Sequence, residues 1–290
     1  MVRTIGNPLS WGASAVLSAG SHAADATEHL GGQSNEHPVA RDLTMNDLHE
    51  ALRAGVDDFT ALRSDVIFIC LLYPIMGLVL AWIALNAELL PHLFPLASGF
   101  ALVGPVAGLG LYEMSRRREA TGHAAWSDAF KVLQAPALAP ILVLGAGLVL
   151  IYALWLVAAS GVYALTLGPE PPASVTGFIA DVFTTGAGWT MAVIGTAVGA
   201  VFAALVLVIS LVSFPMLLER DVGLPVAVVT SVAVARRNPR IVATWGVIVA
   251  GSLAVGTIPF FLGLIFALPI LGHATWHLYR RAVRFEPVDG

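Results

Sequence analysis

The chain has 290 residues, 57% of them hydrophobic and 12% charged, with a formal net charge of −4. An average soluble domain carries about 25% charged residues, so this composition excludes an ordinary soluble globule, and a mean hydropathy of +0.81 agrees. No basic surface is available for nucleic acid, and the single cysteine, Cys70, excludes an internal disulfide and a thiolate metal site.

Residues 1–42 are rich in Gly, Ala, Ser and His and show no periodicity, which predicts a disordered tail. The mildly apolar stretch at 11–17, behind Arg3, is too short and weak for the core of a signal peptide. An integral membrane domain is expected over 43–284, followed by a short tail at 285–290. It opens on DLHEALRAGVDDFTAL (47–62), where Leu48, Leu52, Val56 and Phe59 fall on one helical face, as in a helix lying in the membrane interface.

Uncharged runs then follow at 66–85, 93–112, 134–169, 182–218 and 241–279. A membrane helix needs about 20 mostly apolar residues. The last run, as one straight helix, would reach about 58 Å, roughly twice the hydrocarbon thickness. The sequence GTIP at 256–259 gives it a place to turn. Six spans are therefore expected, at 66–86, 94–115, 137–163, 188–217, 240–257 and 260–279. The predicted class is all-α, a polytopic membrane helix bundle.

With six spans, all 15 Lys and Arg fall on one side, and the opposite loops hold Glu88, Glu170 and Asp181. Positive residues stay cytoplasmic, so both termini are expected in the cytoplasm. WSDAFKVL (126–133) and LPVAVVTSVAVA (224–235) also read as short helices on that side, each before an apolar hairpin. With 47–62 they suggest three repeats of interfacial helix plus transmembrane hairpin.

Charged groups inside the membrane are costly and usually functional, and this chain offers few. Glu113 lies near the cytoplasmic end of the second span, with Arg116 and Arg117 at i+3 and i+4 to pair with it. Gly104 and Gly108, and Gly195 and Gly199, form GxxxG patterns that suit close helix packing. Pro105 and Pro215 are expected to kink their helices. No nucleophile elbow, P-loop, HExxH or dinucleotide fingerprint is present, so no catalytic residue is assigned.

In LGHATWHLYRR (271–281), His273 and His277 share a helix face at i and i+4. The pair could hold haem or a metal only with a third donor beside it. The plainer reading is an interfacial anchor, with Trp276 and Tyr279 in the aromatic belt and Arg280 and Arg281 beyond. No cofactor is expected.

Three strings, FPLASGFALVGPVAGLGLYEMSRRRE (94–119), SFPMLLERDVG (213–223) and LGHATWHLYRR (271–281), resemble the domain of unknown function 2189 family over about 43–284. The resemblance implies a polytopic protein of the bacterial inner membrane. Some members carry the label of cytochrome c oxidase subunits. A haem–copper catalytic subunit needs several intramembrane histidines. Here only His273 and His277 lie near a span end, with His92 in an outer loop and His123 in a cytoplasmic one. The expected function is therefore a non-enzymatic accessory or assembly protein of a membrane complex, with a respiratory one suggested by the label. The alternative is a transporter or channel for a small neutral or lipid-like molecule. Expected partners are the lipid bilayer and other membrane proteins or a second copy.

Overall fold

A computed structural model of the chain describes residues 31–287 apart from 33, 35, 136, 260 and most of 71–86, within which 75, 77, 78 and 82 are described. The first 30 residues of the expected tail and most of the expected first span thus lie outside the described residues. The elements run β1 (Glu36–Ala40), α1 (Met45–Cys70), a 3-10 helix (Ala87–His92), α2 (Leu93–Ala107), α3 (Leu109–Thr121) and a second 3-10 helix (Trp126–Gln134). Then come α4 (Leu138–Thr166), α5 (Val175–Thr184), α6 (Gly186–Ser210), α7 (Ser213–Glu219), α8 (Leu224–Arg237), α9 (Pro239–Thr257), α10 (Leu264–Ala282) and β2 (Val283–Pro287).

The protein is an all-α membrane helix bundle carrying one two-stranded ribbon. Among the described residues, four stretches are long and apolar enough to cross a membrane: Leu89–Thr121, Leu138–Thr166, Gly186–Glu219 and Pro239–Thr257. They coincide with the second to fifth expected spans. The long final apolar run does divide where GTIP falls, α9 ending at Thr257 and α10 starting at Leu264.

α1 departs from the expected plan. Its start is fixed by a reciprocal cap: Thr44 N–H donates to the Asp47 carboxylate at 2.8 Å, and Asp47 N–H to the Thr44 hydroxyl at 3.2 Å. No proline or turn residue separates Leu62 from Val66, so the helix continues unbroken for 26 residues instead of lying flat and then turning. It stands antiparallel against α10, with Glu50 beside Arg281, Gly55 beside Ala274 and Phe59 beside Phe266. The buried stripe is Leu48, Ala51, Gly55, Asp58 and Leu62, at spacings of three and four. Val56, expected on the apolar face, is 41% exposed. A Cβ on Gly55 would lie 2.7 Å from the Ala274 nitrogen and the Ile270 carbonyl oxygen, so the two backbones touch there. The other two short helices do precede hairpins as expected, α4 with α6 and α9 with α10, but α1 is a different element.

The α6–α7 break lies just before Pro215, which removes one helix donor. The buried Ser231 hydroxyl, from α8, enters the opened ladder. It donates to the Val208 carbonyl at 2.7 Å and accepts from Val212 N–H at 3.4 Å. A side chain inserted between an i and i−4 pair is a recognised cause of a helix bend. It also satisfies backbone groups that would otherwise be buried without partners.

The tail boundaries also change. Residues 36–40, expected in a disordered tail, pair antiparallel with 283–287, Glu36 opposite Pro287 and Ala40 opposite Val283. Arg237 forks onto Asp42 at 2.6 and 2.7 Å, and Arg220 reaches Glu36 at 2.7 Å while covering the Phe285 ring. Asn238 accepts from Leu43 N–H at 2.7 Å and donates to the Arg41 carbonyl at 2.8 Å. Every partner is distant in sequence, so although VRFE at 283–286 alternates apolar and polar as a strand does, local pattern does not show what it pairs with.

Gly55→Leu is expected to cost roughly 1–3 kcal/mol as overpacking, because the clash is with backbone. Gly104→Ala, at a site where a Cβ meets nothing within 4 Å, is expected to be neutral or slightly stabilising. Thermal melting of both variants in detergent compares them directly.

Candidate functional site

Two features stand out, a buried polar cluster and an apolar cleft. The cluster centres on Asp58, which is 4% exposed. α3 supplies Ser115 and Arg118 to it, and α10 supplies His273 and His277. The Ser115 hydroxyl donates to Asp58 Oδ2 at 2.6 Å. His277 Nε2 lies 2.9 Å from the same oxygen, and the Arg118 guanidinium holds Oδ1. Ser115 Oγ is also 2.7 Å from His273 Nδ1.

Proton counting assigns the roles, as inference from the hydrogen-bond pattern. Asp58 faces a guanidinium and is an ionised acceptor. Ser115 gives its one hydrogen to that carboxylate. His273 Nδ1 must then carry hydrogen and donate to the serine oxygen. His277 donates through Nε2. His273 Nε2 remains buried with no hydrogen-bond partner.

A serine, histidines and an aspartate therefore meet, yet not as a catalytic triad. In a triad the serine gives its proton to histidine and the carboxylate orients that histidine. Here the serine hydroxyl is bound to the carboxylate itself, and Ser115 is fully buried. Nor, among the described residues, do three or more His, Cys, Asp or Glu stand together as a metal site. The third donor that His273 and His277 needed is beside them, but Arg118 already occupies its other oxygen. The cluster joins α1, α3 and α10.

Glu113 is 1% exposed and accepts from Arg116 at 2.7 and 2.9 Å and from Arg117 at 3.0 Å. Arg117 also approaches Asp128 at 3.6 Å. The Ala125 N–H and Lys131 hold the Asp128 carboxyl below its ordinary range. Trp276 and Tyr279 correct the aromatic-belt expectation, since both are 1% exposed. Their polar tips find carboxylates on other helices in place of headgroups: Trp276 Nε1 donates to Glu119 at 2.9 Å, and Tyr279 donates to Glu219. Arg280 bridges the same two acids at 3.2 and 2.7 Å, and Arg281 pairs with Glu50 at 3.3 Å.

The glycine expectations divide. A Cβ on Gly199 would meet the Trp155 ring at 3.1 Å, a close approach. Gly195 would reach only ordinary contact with Val162, and Gly108 faces the Tyr112 hydroxyl of its own helix. Gly104 adjoins open space. Close packing also falls outside these motifs, at Gly55, at Gly99 against Tyr152 and at Gly272 against Leu111.

That open space belongs to a cleft of about 830 Å3 between α2, α3, α6, α9 and α10, with Tyr152 of α4 also on its wall. Small residues border it, among them Gly104, Ala203 and Ala250, while at Gly99 and Gly246 the Tyr152 ring and Leu207 take the space a Cβ would occupy. Polar groups at its wall are turned onto the backbone: Ser210 donates to the Val206 carbonyl and Thr275 to the Leu271 carbonyl, both at 2.7 Å. The wall that remains is mostly apolar, with Tyr112, Tyr152 and Trp245 the other side chains on it that carry a polar atom.

A bundle with several long apolar helices and charged residues paired at helix ends defines an integral membrane protein. Residues 93–219 match the model of a family described as predicted integral membrane protein (DUF2189), so the resemblance read from the sequence is shown over α2 to α7. No curated protein and no solved structure matches the chain. Asp58, His273 and His277 lie outside the matched stretch, and Ser115 and Arg118 within it.

Sequence reading missed Asp58, Ser115 and Arg118. One signal was available: Asp58 continues the 48, 51, 55, 62 stripe, so it is the acid of α1 that must be buried. Asp58→Ala is expected to destabilise the protein by about 3 kcal/mol, the low end for breaking a buried pair because Arg118 keeps some solvent access. Asp58→Asn combined with Arg118→Gln should lose less than the sum of the single changes, which a double-mutant cycle of unfolding in detergent measures.

Proposed function

We propose that this is a non-enzymatic, multi-pass protein of the bacterial inner membrane, with both termini cytoplasmic, that holds a small apolar or lipid-like molecule between its helices without a cofactor. The observation that carries the reading is the cleft of about 830 Å3. Sites for small organic ligands commonly measure roughly 300–1,000 Å3 and are mostly apolar. Gly and Ala alternate with larger apolar residues such as Leu96, Leu207 and Leu268 around it, and a larger side chain at a small position such as Ala250 would take up part of the space. An ion or hydrated solute is disfavoured, because a mostly apolar wall without a charged group offers little to replace its water.

A second reading, an accessory protein of a membrane complex, draws on the 3-10 helix Trp126–Gln134. It exposes Trp126, Phe130 and Leu133 at 48, 58 and 68% while Val132 is buried. Side chains of this kind anchor protein interfaces. Mass spectrometry of material purified in mild detergent distinguishes it: a stoichiometric partner lost on Phe130→Ser favours this reading.

For the first reading, Ala250→Trp places an indole in the cleft. Crosslinking of a photoreactive fatty acid to the purified protein is expected to fall several-fold in this variant, with melting temperature near that of wild type. Unchanged crosslinking refutes the reading.

A further inference from the structure

We infer that the cleft takes one acyl chain of an anionic phospholipid, whose phosphate is held at Arg240. The inference rests on the cleft reading above and adds the headgroup chemistry. On α9, Arg240, Ala243, Val247 and Ala250 follow one another at spacings of three, four and three, which places them on one stripe. Ala243, Val247 and Ala250 line the cleft, and all four residues are exposed. The stripe thus runs from a guanidinium at the helix start down an apolar wall.

Arg240 differs from most cations of the arginine-rich face. Arg116 and Arg117 pair with Glu113, Arg118 with Asp58, Arg220 with Glu36, Arg237 with Asp42 and Arg280 with Glu219. Arg240 makes no ion pair among the described residues, and neither does Arg236 four positions earlier. A free guanidinium one turn above an apolar cleft complements a ligand with a phosphate at one end and a hydrocarbon chain at the other. Arginine suits that phosphate because its planar fork bonds two oxygens at once. A neutral apolar molecule would leave the cation unused, and a free phosphate would leave the cleft unused. The bilayer itself supplies the amphiphile that uses both.

The test uses the full chain in nanodiscs of mixed phosphatidylglycerol and phosphatidylcholine, released into detergent, with retained lipid counted by native mass spectrometry. Wild type is expected to retain phosphatidylglycerol in preference. Arg240→Gln should lower that preference about fivefold, the contribution of one basic residue at an anionic surface. Arg240→Lys should keep most of it. Arg53→Gln, which removes another exposed and unpaired arginine on the same face, should leave it unchanged. The inference is overturned if Arg240→Gln keeps the preference, if Arg53→Gln loses as much, or if inorganic phosphate displaces the retained lipid. Ala250→Trp separates the two levels. Loss of both lipids there, together with an unaltered preference in Arg240→Gln, rejects the arginine site and leaves the cleft reading standing. Retention of both lipids in Ala250→Trp rejects the cleft.

Discussion

A carboxylate placed between helices has to be neutralised, and Asp58 meets that condition only when three helices are in register. Arg118 and Ser115 come from α3, and His277 from α10. Their donors converge on two oxygens of a side chain that is nearly solvent-free. An unpaired charge there would cost several kcal/mol, so any arrangement that separates α1 from α3 or α10 is penalised strongly. Apolar packing alone is permissive about sliding, because lipid tails are as apolar as leucine. The cluster supplies the specificity that greasy faces lack. The contact between Gly55 and Ala274 brings the backbones of α1 and α10 close enough for the side chains to reach.

The arginine-rich face repeats this logic at lower burial. Glu119 and Glu219 join α3, α7 and α10 through Trp276, Tyr279 and Arg280. The β1–β2 ribbon and Asn238 tie the start of the described chain to its end. One end of the bundle is therefore densely cross-linked by polar contacts, while elsewhere such contacts are sparse, as where Trp155 donates to Ser98 at 2.9 Å and His92 meets Ser160 at 2.8 Å. The cleft lies in the second region, where small residues such as Gly104, Ala203 and Ala250 interrupt the larger apolar ones and no charged group lines the wall. The bundle thus combines a polar, cross-linked end with a cleft between its helices.

Much of the helical plan was legible because hydropathy reports a solvent. Four of the expected spans appear as helices within a few residues of the expected bounds, and the turn at 256–259 follows from a length no bilayer accommodates. The pairing of Glu113 with Arg116 and Arg117 was likewise local, fixed by i+3 and i+4 spacing. What escaped was non-local. The ribbon pairs residues 36–40 with 283–287; the alternation of VRFE at 283–286 is a short strand signal, but nothing in either segment names its partner. Gly104 and Gly199 have the same motif, yet one faces a void and the other an indole, because a motif states only that close approach is allowed.

LGHATWHLYRR shows the division most clearly. By itself the sequence determined a helix with two histidines on one face and arginines at its end, since both follow from periodicity. Whether that face met headgroups, a metal or another helix depended on what α1 and α3 brought to it. Burial decided the matter: Trp276 and Tyr279 are covered by protein, and His277 meets an aspartate 219 positions away. Hydropathy sets which segments enter the membrane. Only the packed bundle sets which of their polar atoms find one another, because that is a property of distances between helices that the order of residues along the chain does not contain.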